Sequence, residues 1–287
     1  MSTESEVSGL TAFAVAAVEA GIVGTEFEGR LLHFPSVVST NVLALEAAQT
    51  GARGGVWVAD EQTAGRGRGG HGWHSAAGDG LYVSALVTPS LPMSTALWLS
   101  LATGLAAQAA IRETTTLEVD LRWPNDLILH GRKCGGILVE TGVAPAEAGA
   151  PAMLRYAVIG VGINLNHAEF PAELQNLATS LRIERGALVS REAVLAALLR
   201  DLDEEIRLLV REYRGKYRGE CRGPHGGAGL LERFTAASSW VRGKRVRVDE
   251  GGGYTGVTDG LDERGFLRVA GDDGLQRTVL SGGVREA

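Results

Sequence analysis

Cysteine is nearly absent: Cys134 and Cys221 are the two in 287 residues. Two thiols cannot build a disulfide framework and are too few for a cysteine zinc cluster, and such sparse use fits a reducing cytoplasmic setting. An excess of positive charge is also missing. Lys and Arg number 28 against 34 Asp and Glu, a net charge of −6, so the chain has no electrostatic footprint for DNA or RNA. The opening MSTESEVSGL has no basic segment ahead of an apolar one, so no secretory leader is expected. Long apolar runs are scarce. Residues 93–111 are uncharged, but Ser94, Thr95, Ser100, Thr103, Gly104 and Gln108 dilute them. Leu97, Leu101, Leu105 and Ala109 recur there at helical spacing, which reads as a buried core helix rather than a membrane span.

What is present suits a soluble globular protein, with 45% apolar and 22% charged residues. The length fits one large domain or a large domain with a small one. Residues 8–20 favour a helix. The stretch HFPSVVSTNVLALEAAQTG predicts a strand, a turn and a helix, with N-cap residue types at Ser39, Thr40 and Asn41 and a stop at Gly51. GVWVAD (55–60), LYVSALVT (81–88), LEVDLRW (117–123), ILVETGV (137–143) and YAVIGVGINL (156–165) predict strands, and residues 95–112 and 191–213 predict helices. The loop 144–152 reads as a hairpin tip, and 214–229 as a glycine-rich joint. Beyond about residue 240, KRVRV, GYTGVTDGL, FLRV and RTVL are short strands between turns, the texture of a small β-barrel. The expected architecture is α+β with a mixed or antiparallel sheet, followed by an all-β tail.

Four stretches carry candidate chemistry. GRGRGGHGW (65–73) sets two guanidinium groups on backbone that lets a ligand approach closely, as a loop closing over an anion would. Alone, it better describes a solvated, flexible hairpin. It lacks the GK[ST] of a Walker loop and does not open a helix as a dinucleotide fingerprint does. WPND (123–126) ends a strand, and Asn125 and Asp126 are expected to project from the turn, unless they merely cap it. RKCGGILVE (132–140) puts Lys133 beside two glycines and a buried strand, where it either points into a cavity or snorkels to water. GVGINLN (160–166) sets Asn164 between Ile163 and Leu165, so its side chain needs a designated partner. His71 and His74 lack the further ligands a metal would require.

STN, EQTAGRGRGGHGW, WPND, KCGGILVE and GVGINLN, in that order and with ATSL (178–181) and the β tail behind them, closely resemble the biotin protein ligases over residues 31–287. The resemblance implies a class II synthetase-like biotin/lipoate ligase fold with a small C-terminal SH3-like β-barrel. It implies a helical leader over 1–30, a catalytic domain over 31–235 and a C-terminal domain over 236–287. It also implies a reaction in which biotin attacks the α-phosphate of ATP, giving biotinyl-5′-AMP and pyrophosphate, before a lysine of a biotin carboxyl carrier protein takes the biotinyl group.

By resemblance, Ser39, Thr40, Asn41 and Gln62 meet the biotin head group, while Arg66, Gly67 and Arg68 lie in the closing loop. Lys133, flanked by Gly135 and Gly136, lies between the biotin carboxylate and the α-phosphate. Trp73 covers the adenylate, Asn125 and Asn164 contact the nucleotide, and Asp126 orients a cation or the acceptor lysine. Lys133, Arg68 and Asp126 are the catalytic candidates. Mg2+ is expected to arrive through the ATP phosphates, with no dedicated protein site. Cys134 is expected to be inert, since no covalent enzyme intermediate is needed. His71 stands where some relatives carry arginine, and VVSTN lacks the glycine often found before STN.

The resemblance leaves open a lipoate ligase or octanoyltransferase, although the arginine loop and KCGGILVE favour biotin. A biotin-responsive repressor is disfavoured, because about 30 residues before the catalytic part are too few for a winged helix-turn-helix. An inactive binding module is disfavoured because both Lys133 and the arginine loop are present. Expected partners are therefore the carrier protein and no nucleic acid or membrane, with a homodimer compatible with the family.

Overall fold

The structure, a computed structural model, describes residues 13–145, 149, 151–217, 228–281 and 283–287. Cys221, most of the glycine-rich joint and part of the 144–152 loop lie outside them. Helix α1 (Val15–Gly21) precedes strand β1 (Leu31–Val37), helix α2 (Thr40–Gln49) and strand β2 (Gly55–Gln62). Ser39 stands at the N-cap of α2 without a capping side-chain bond, and Gly51 takes φ 103° just past the helix end, a conformation open to glycine at little cost. Strand β3 (Gly80–Val87) and helix α3 (Ala96–Thr115) follow. Strands β4 (Asp120–Arg122), β5 (Asp126–Leu129), β6 (Arg132–Val143) and β7 (Leu154–Asn164) come next, then helices α4 (Leu181–Arg185), α5 (Arg191–Tyr217) and α6 (Leu230–Ala237).

The sheet runs β1-β2-β3-β7-β6-β5-β4, with β1 and β2 parallel and every other pair antiparallel, so it is mixed as expected. Three expectations need correction. The alternating run 117–123 forms only the three residues of β4. The WPND segment is less a free turn than the bend of a β4–β5 hairpin, with Asp126 already paired to Arg122. Lys133 likewise lies within β6, not ahead of it.

Strand alternation assigns the two faces. On β7, Ala157, Ile159, Val161 and Ile163 enter the main core with α3 and α5. Val158 faces the other way and packs with Trp57, Leu86 and α2 residues Ala44 and Ala48. Helix α3 and the turn before it are long and apolar enough to cross a membrane, but 67% of that window is buried in protein. Leu99, Leu101 and Ile111 on α3 are fully buried, each contributing roughly 2 kcal/mol.

The C-terminal strands β8 (Arg242–Val248), β9 (Tyr254–Leu261), β10 (Leu267–Gly271), β11 (Gln276–Val279) and β12 (Val284–Glu286) form a five-stranded antiparallel sheet in the order β11-β10-β9-β8-β12. Strand β12 escaped the sequence reading because three residues carry no periodicity. Trp98 and Trp123 tie this sheet to the larger one by donating to the carbonyls of Arg264 and Gly265, both at 2.9 Å.

Candidate active site

One line of cross-strand neighbours builds the floor of a cleft. Ala59 on β2 pairs with Tyr82 on β3, then Gly162 on β7, Gly136 on β6, Asp126 on β5 and Arg122 on β4. Successive residues of a strand face opposite ways, so each residue in such a line faces the same side. The paired glycines at its centre leave a trough, and the indole of Trp73 lies in it. A Cβ on Gly162 would come 2.6 Å from Trp73 Nε1, and one on Gly136 would come 3.3 Å from the same ring. The next parallel line, Trp57–Ser84–Gly160–Leu138, forms a second trough in which a Cβ on Gly160 would collide with the amide of Asn41.

The cleft has a volume of about 460 Å³ including its open mouth. Its lining brings together Ser39, Thr40, Asn41, Gln62, Arg66, Gly67, Arg68, Trp73, Asn125, Lys133 and Gly136 from the sequence reading. The structure does not bring Gly135, Asp126 or Asn164 into that lining; Asp126 meets it through Lys133. Gly135 is packed against Leu127 and the carbonyl of Gly162. Asn164 is buried beyond the glycine trough, and its amide donates to the carbonyl of Thr179 at 3.0 Å. Its designated partner is thus the ATSL segment.

One end of the cleft is cationic. Lys133 Nζ lies 2.5 Å from Asp126 Oδ1 and 5.4 Å from the centre of the Trp73 ring. Arg122 holds the other oxygen of Asp126, with Nη2 at 2.6 Å and Nε at 3.0 Å. Burial opposes the charge on Asp126, but Lys133 and then Arg122 outweigh it and hold the carboxyl below the usual carboxylate range. Asp126 therefore stays an anion, with Oδ1 holding Lys133 along the trough and Oδ2 held by Arg122. Arg68 donates to Asn125 Oδ1 at 3.2 Å and to the carbonyl of Ser281 at 2.6 Å, which links the loop to both sheets. Asn125 in turn donates to the carbonyl of Ile137 at 2.9 Å.

The loop itself is closed by a bridge between Arg66 and Gly72 and by Trp73 N–H donating to the carbonyl of Gly65 at 2.9 Å. These bonds seat Trp73 and leave Arg66 half-exposed, 3.8 Å from Glu140. Cys134, beside Lys133, is fully buried, and burial pushes its thiol far up, which suits an inert residue. Among the described residues, no group of three His, Cys, Asp or Glu side chains could hold a metal ion.

The opposite end is a hydrogen-bonding network. Gln62 Oε1 accepts from Thr40 N–H at 2.9 Å, and Gln62 Nε2 donates to Ser75 Oγ at 3.0 Å. Ser84 Oγ lies 2.8 Å from Thr40 Oγ1 and 2.5 Å from Asn41 Oδ1, and Asn41 Nδ2 donates to Glu140 at 2.9 Å. Ser84, Glu140, Ser75 and Arg122 were missed from sequence. Ser84 left a signal: a hydroxyl in the middle of the apolar run LYVSALVT, fully buried here, needs a partner. A cleft with fixed cations at one end, donors and acceptors at the other and an indole between suits a ligand with a polar ring, an apolar stem and an anionic head.

The chain matches the Biotin/lipoate A/B protein ligase family over residues 34–164 and the Biotin protein ligase C terminal domain over residues 242–284. It is 34% identical over 253 residues to the Biotin--[acetyl-CoA-carboxylase] ligase of Mycobacterium tuberculosis, covering 85% of this chain and 84% of that protein. It is 37% identical over 179 residues to the Bifunctional ligase/repressor BirA of Bacillus subtilis, covering 61% of this chain and about half, 53%, of that longer relative. The biotin protein ligase from Aquifex aeolicus in complex with biotin and ATP superposes with a TM-score of 0.68 at 27% identity, covering 90% of this chain and all of that one.

Proposed function

Since the chain belongs to the biotin/lipoate A/B protein ligase family, we propose that it activates biotin with ATP and transfers it to a lysine of a biotin carboxyl carrier protein. The observation that carries this reading is the pairing of Lys133 with Asp126 at the head of a glycine-floored trough whose far end holds Thr40, Gln62, Ser84 and Asn41. A plain acyl chain would offer that far end no hydrogen bond. A ureido ring, with two N–H donors and a carbonyl, would use it.

In the first step a biotin carboxylate oxygen attacks the α-phosphorus of ATP. The bond from that phosphorus to the bridging oxygen breaks, and pyrophosphate leaves. Two anions must approach, so fixed positive charge is the main requirement. Lys133 would meet both reacting groups, exchanging part of its contact with Asp126 for theirs. Arg66 and Arg68 would hold phosphate oxygens from the loop, and Trp73 would shield the mixed anhydride from water. In the second step the carrier lysine amine attacks the acyl carbon, the bond to AMP breaks, and the amine loses a proton. Asp126, acceptor-only and anionic, is a candidate to orient that amine. Any Mg2+ would come on the triphosphate, since this ion is usually held by substrate phosphates with one or two protein ligands.

The catalytic unit is assigned to 31–235 and the small β unit to 236–287, with cytoplasmic operation where ATP and carboxylases meet. Incubation with biotin, ATP and a purified carrier domain tests the reading. Biotin-dependent, ATP-dependent labelling of the carrier lysine, blocked when that lysine is replaced by arginine, is the expected result. A carrier that remains unlabelled would overturn it.

A further inference from the structure

The polar end of the cleft is a relay whose proton directions are fixed by its two termini. At one terminus, Asn41 Nδ2 faces two groups that only accept: Glu140 Oε2 at 2.9 Å and the carbonyl of Leu138 at 3.4 Å. The amide of Asn41 is thereby oriented, and its Oδ1 must face Ser84 Oγ, 2.5 Å away. Ser84 has one proton, and Asn41 Oδ1 takes it. At the other terminus, Thr40 N–H can only donate, so Gln62 must present Oε1 to it at 2.9 Å. The hydroxyl of Thr40 then lies between two acceptors, Ser84 Oγ at 2.8 Å and Gln62 Oε1 at 3.2 Å. Its proton points into the protein whichever of them takes it, and its lone pairs receive no bond from Ser84.

We propose that Glu140 is a positioning residue for substrate specificity: its carboxylate orients the Asn41–Ser84–Thr40 relay so that Thr40 offers an acceptor to a ring N–H of the bound ligand. This rests on the biotin reading above and deepens it, since the ureido ring supplies that N–H. The second carboxylate oxygen of Glu140 lies 3.8 Å from Arg66, which fixes the carboxylate from the loop side. Glu140 shares the site face of β6 with Gly136 and Leu138, two residues apart in turn, so its place beside Asn41 follows from strand alternation. An amide in its place can donate as well as accept. The Asn41 amide is then held only by the 3.4 Å contact to the Leu138 carbonyl; once it reverses, Ser84 donates to Thr40, and the Thr40 proton, which Ser84 no longer accepts, turns to Gln62 or toward the ligand, weakening the acceptor offered to the ring N–H.

Calorimetric titration without ATP tests this, using biotin and its two cyclic-carbamate analogues, each with one ring N–H replaced by oxygen. The wild-type protein should prefer biotin to one of the carbamates by roughly tenfold or more, the worth of one good hydrogen bond. Glu140→Gln should shrink that ratio several-fold, Glu140→Asp should retain more of it, and adding Ser84→Ala to Glu140→Gln should restore it, because the misdirected proton is gone. A wild-type ratio in Glu140→Gln would overturn the proposal. Should Glu140→Gln fail to fold, Asn41→Leu, which also turns the Ser84 proton toward Thr40, is read the same way. A wild-type protein that does not bind biotin would instead overturn the function proposed above, and this inference with it.

Discussion

Lys133 Nζ and Asp126 Oδ1 stand 2.5 Å apart, joining the second residue of β6 to the first residue of β5 across their hairpin. Neither residue has a reason to be buried by itself. Together with Arg122 they form a half-buried group of two cations and one anion, and the surplus positive charge faces the trough. Lys133→Ala should therefore lower the rate of biotin-dependent pyrophosphate release by roughly 100-fold or more, the usual effect of deleting a fixed donor to developing charge. The fold should survive, since Asp126 keeps Arg122. Release at the wild-type rate would contradict the assignment.

The same group predicts a pH dependence of stability. The folded state holds the Asp126 carboxyl below its ordinary value, which is about 4 in an unfolded chain. A depressed carboxyl contributes stability that is fully present above the unfolded value and is lost as the pH falls through the folded one. Asp126→Asn should destabilise at pH 7 by about 1–3 kcal/mol, because two partly buried cations lose their anion. The difference in melting temperature from wild type should narrow as the pH falls below about 4. A gap of constant size from pH 7 to the acid limit would show that the charge of Asp126 is not what stabilises this hairpin.

Gly162 is required by the indole above it. Gly162→Ala would place a methyl group 2.6 Å from Trp73 Nε1, and neighbouring strands leave the backbone little room to yield. Overpacking of this kind costs about 1–3 kcal/mol, and here the simplest relief is to expel Trp73. The expected variant folds, shows a red-shifted tryptophan emission and loses adenylate to water faster than wild type. Unchanged emission with unchanged retention would mean that Trp73 is not the cover.

Arg68 reaches Asn125 on the β4–β5 bend and the carbonyl of Ser281 near the C-terminal sheet. Arg68→Ala removes both bonds of one charged group, so release of free biotinyl-5′-AMP should rise by about tenfold or more. Biotin binding without ATP should change less. Equal leakage from variant and wild type would argue against a loop that latches over the adenylate.

Much of this was legible in the chain because strand periodicity is a strong signal. The alternation in YAVIGVGIN places Ile159, Val161 and Ile163 in the core and leaves Gly160 and Gly162 for the cleft. The motif residues Thr40, Gln62, Arg68 and Lys133 fall where turns and strand ends meet that face. Two kinds of information were not legible. Short elements such as β5 and β12, of four and three residues, are stabilised by their partners rather than by any pattern of their own. Partnerships across the sheet were hidden as well. Nothing local tells that Glu140 will meet Asn41, 99 positions away, or that Asn164 will donate to Thr179 instead of facing the cleft.

The most direct measurement is biotin-dependent exchange of labelled pyrophosphate into ATP, run beside lipoate with wild-type protein and Lys133→Ala. Exchange with biotin, little with lipoate, and near-complete loss in the variant are the expected results. Exchange with lipoate in preference to biotin, or exchange undiminished without Lys133, would contradict the proposed function.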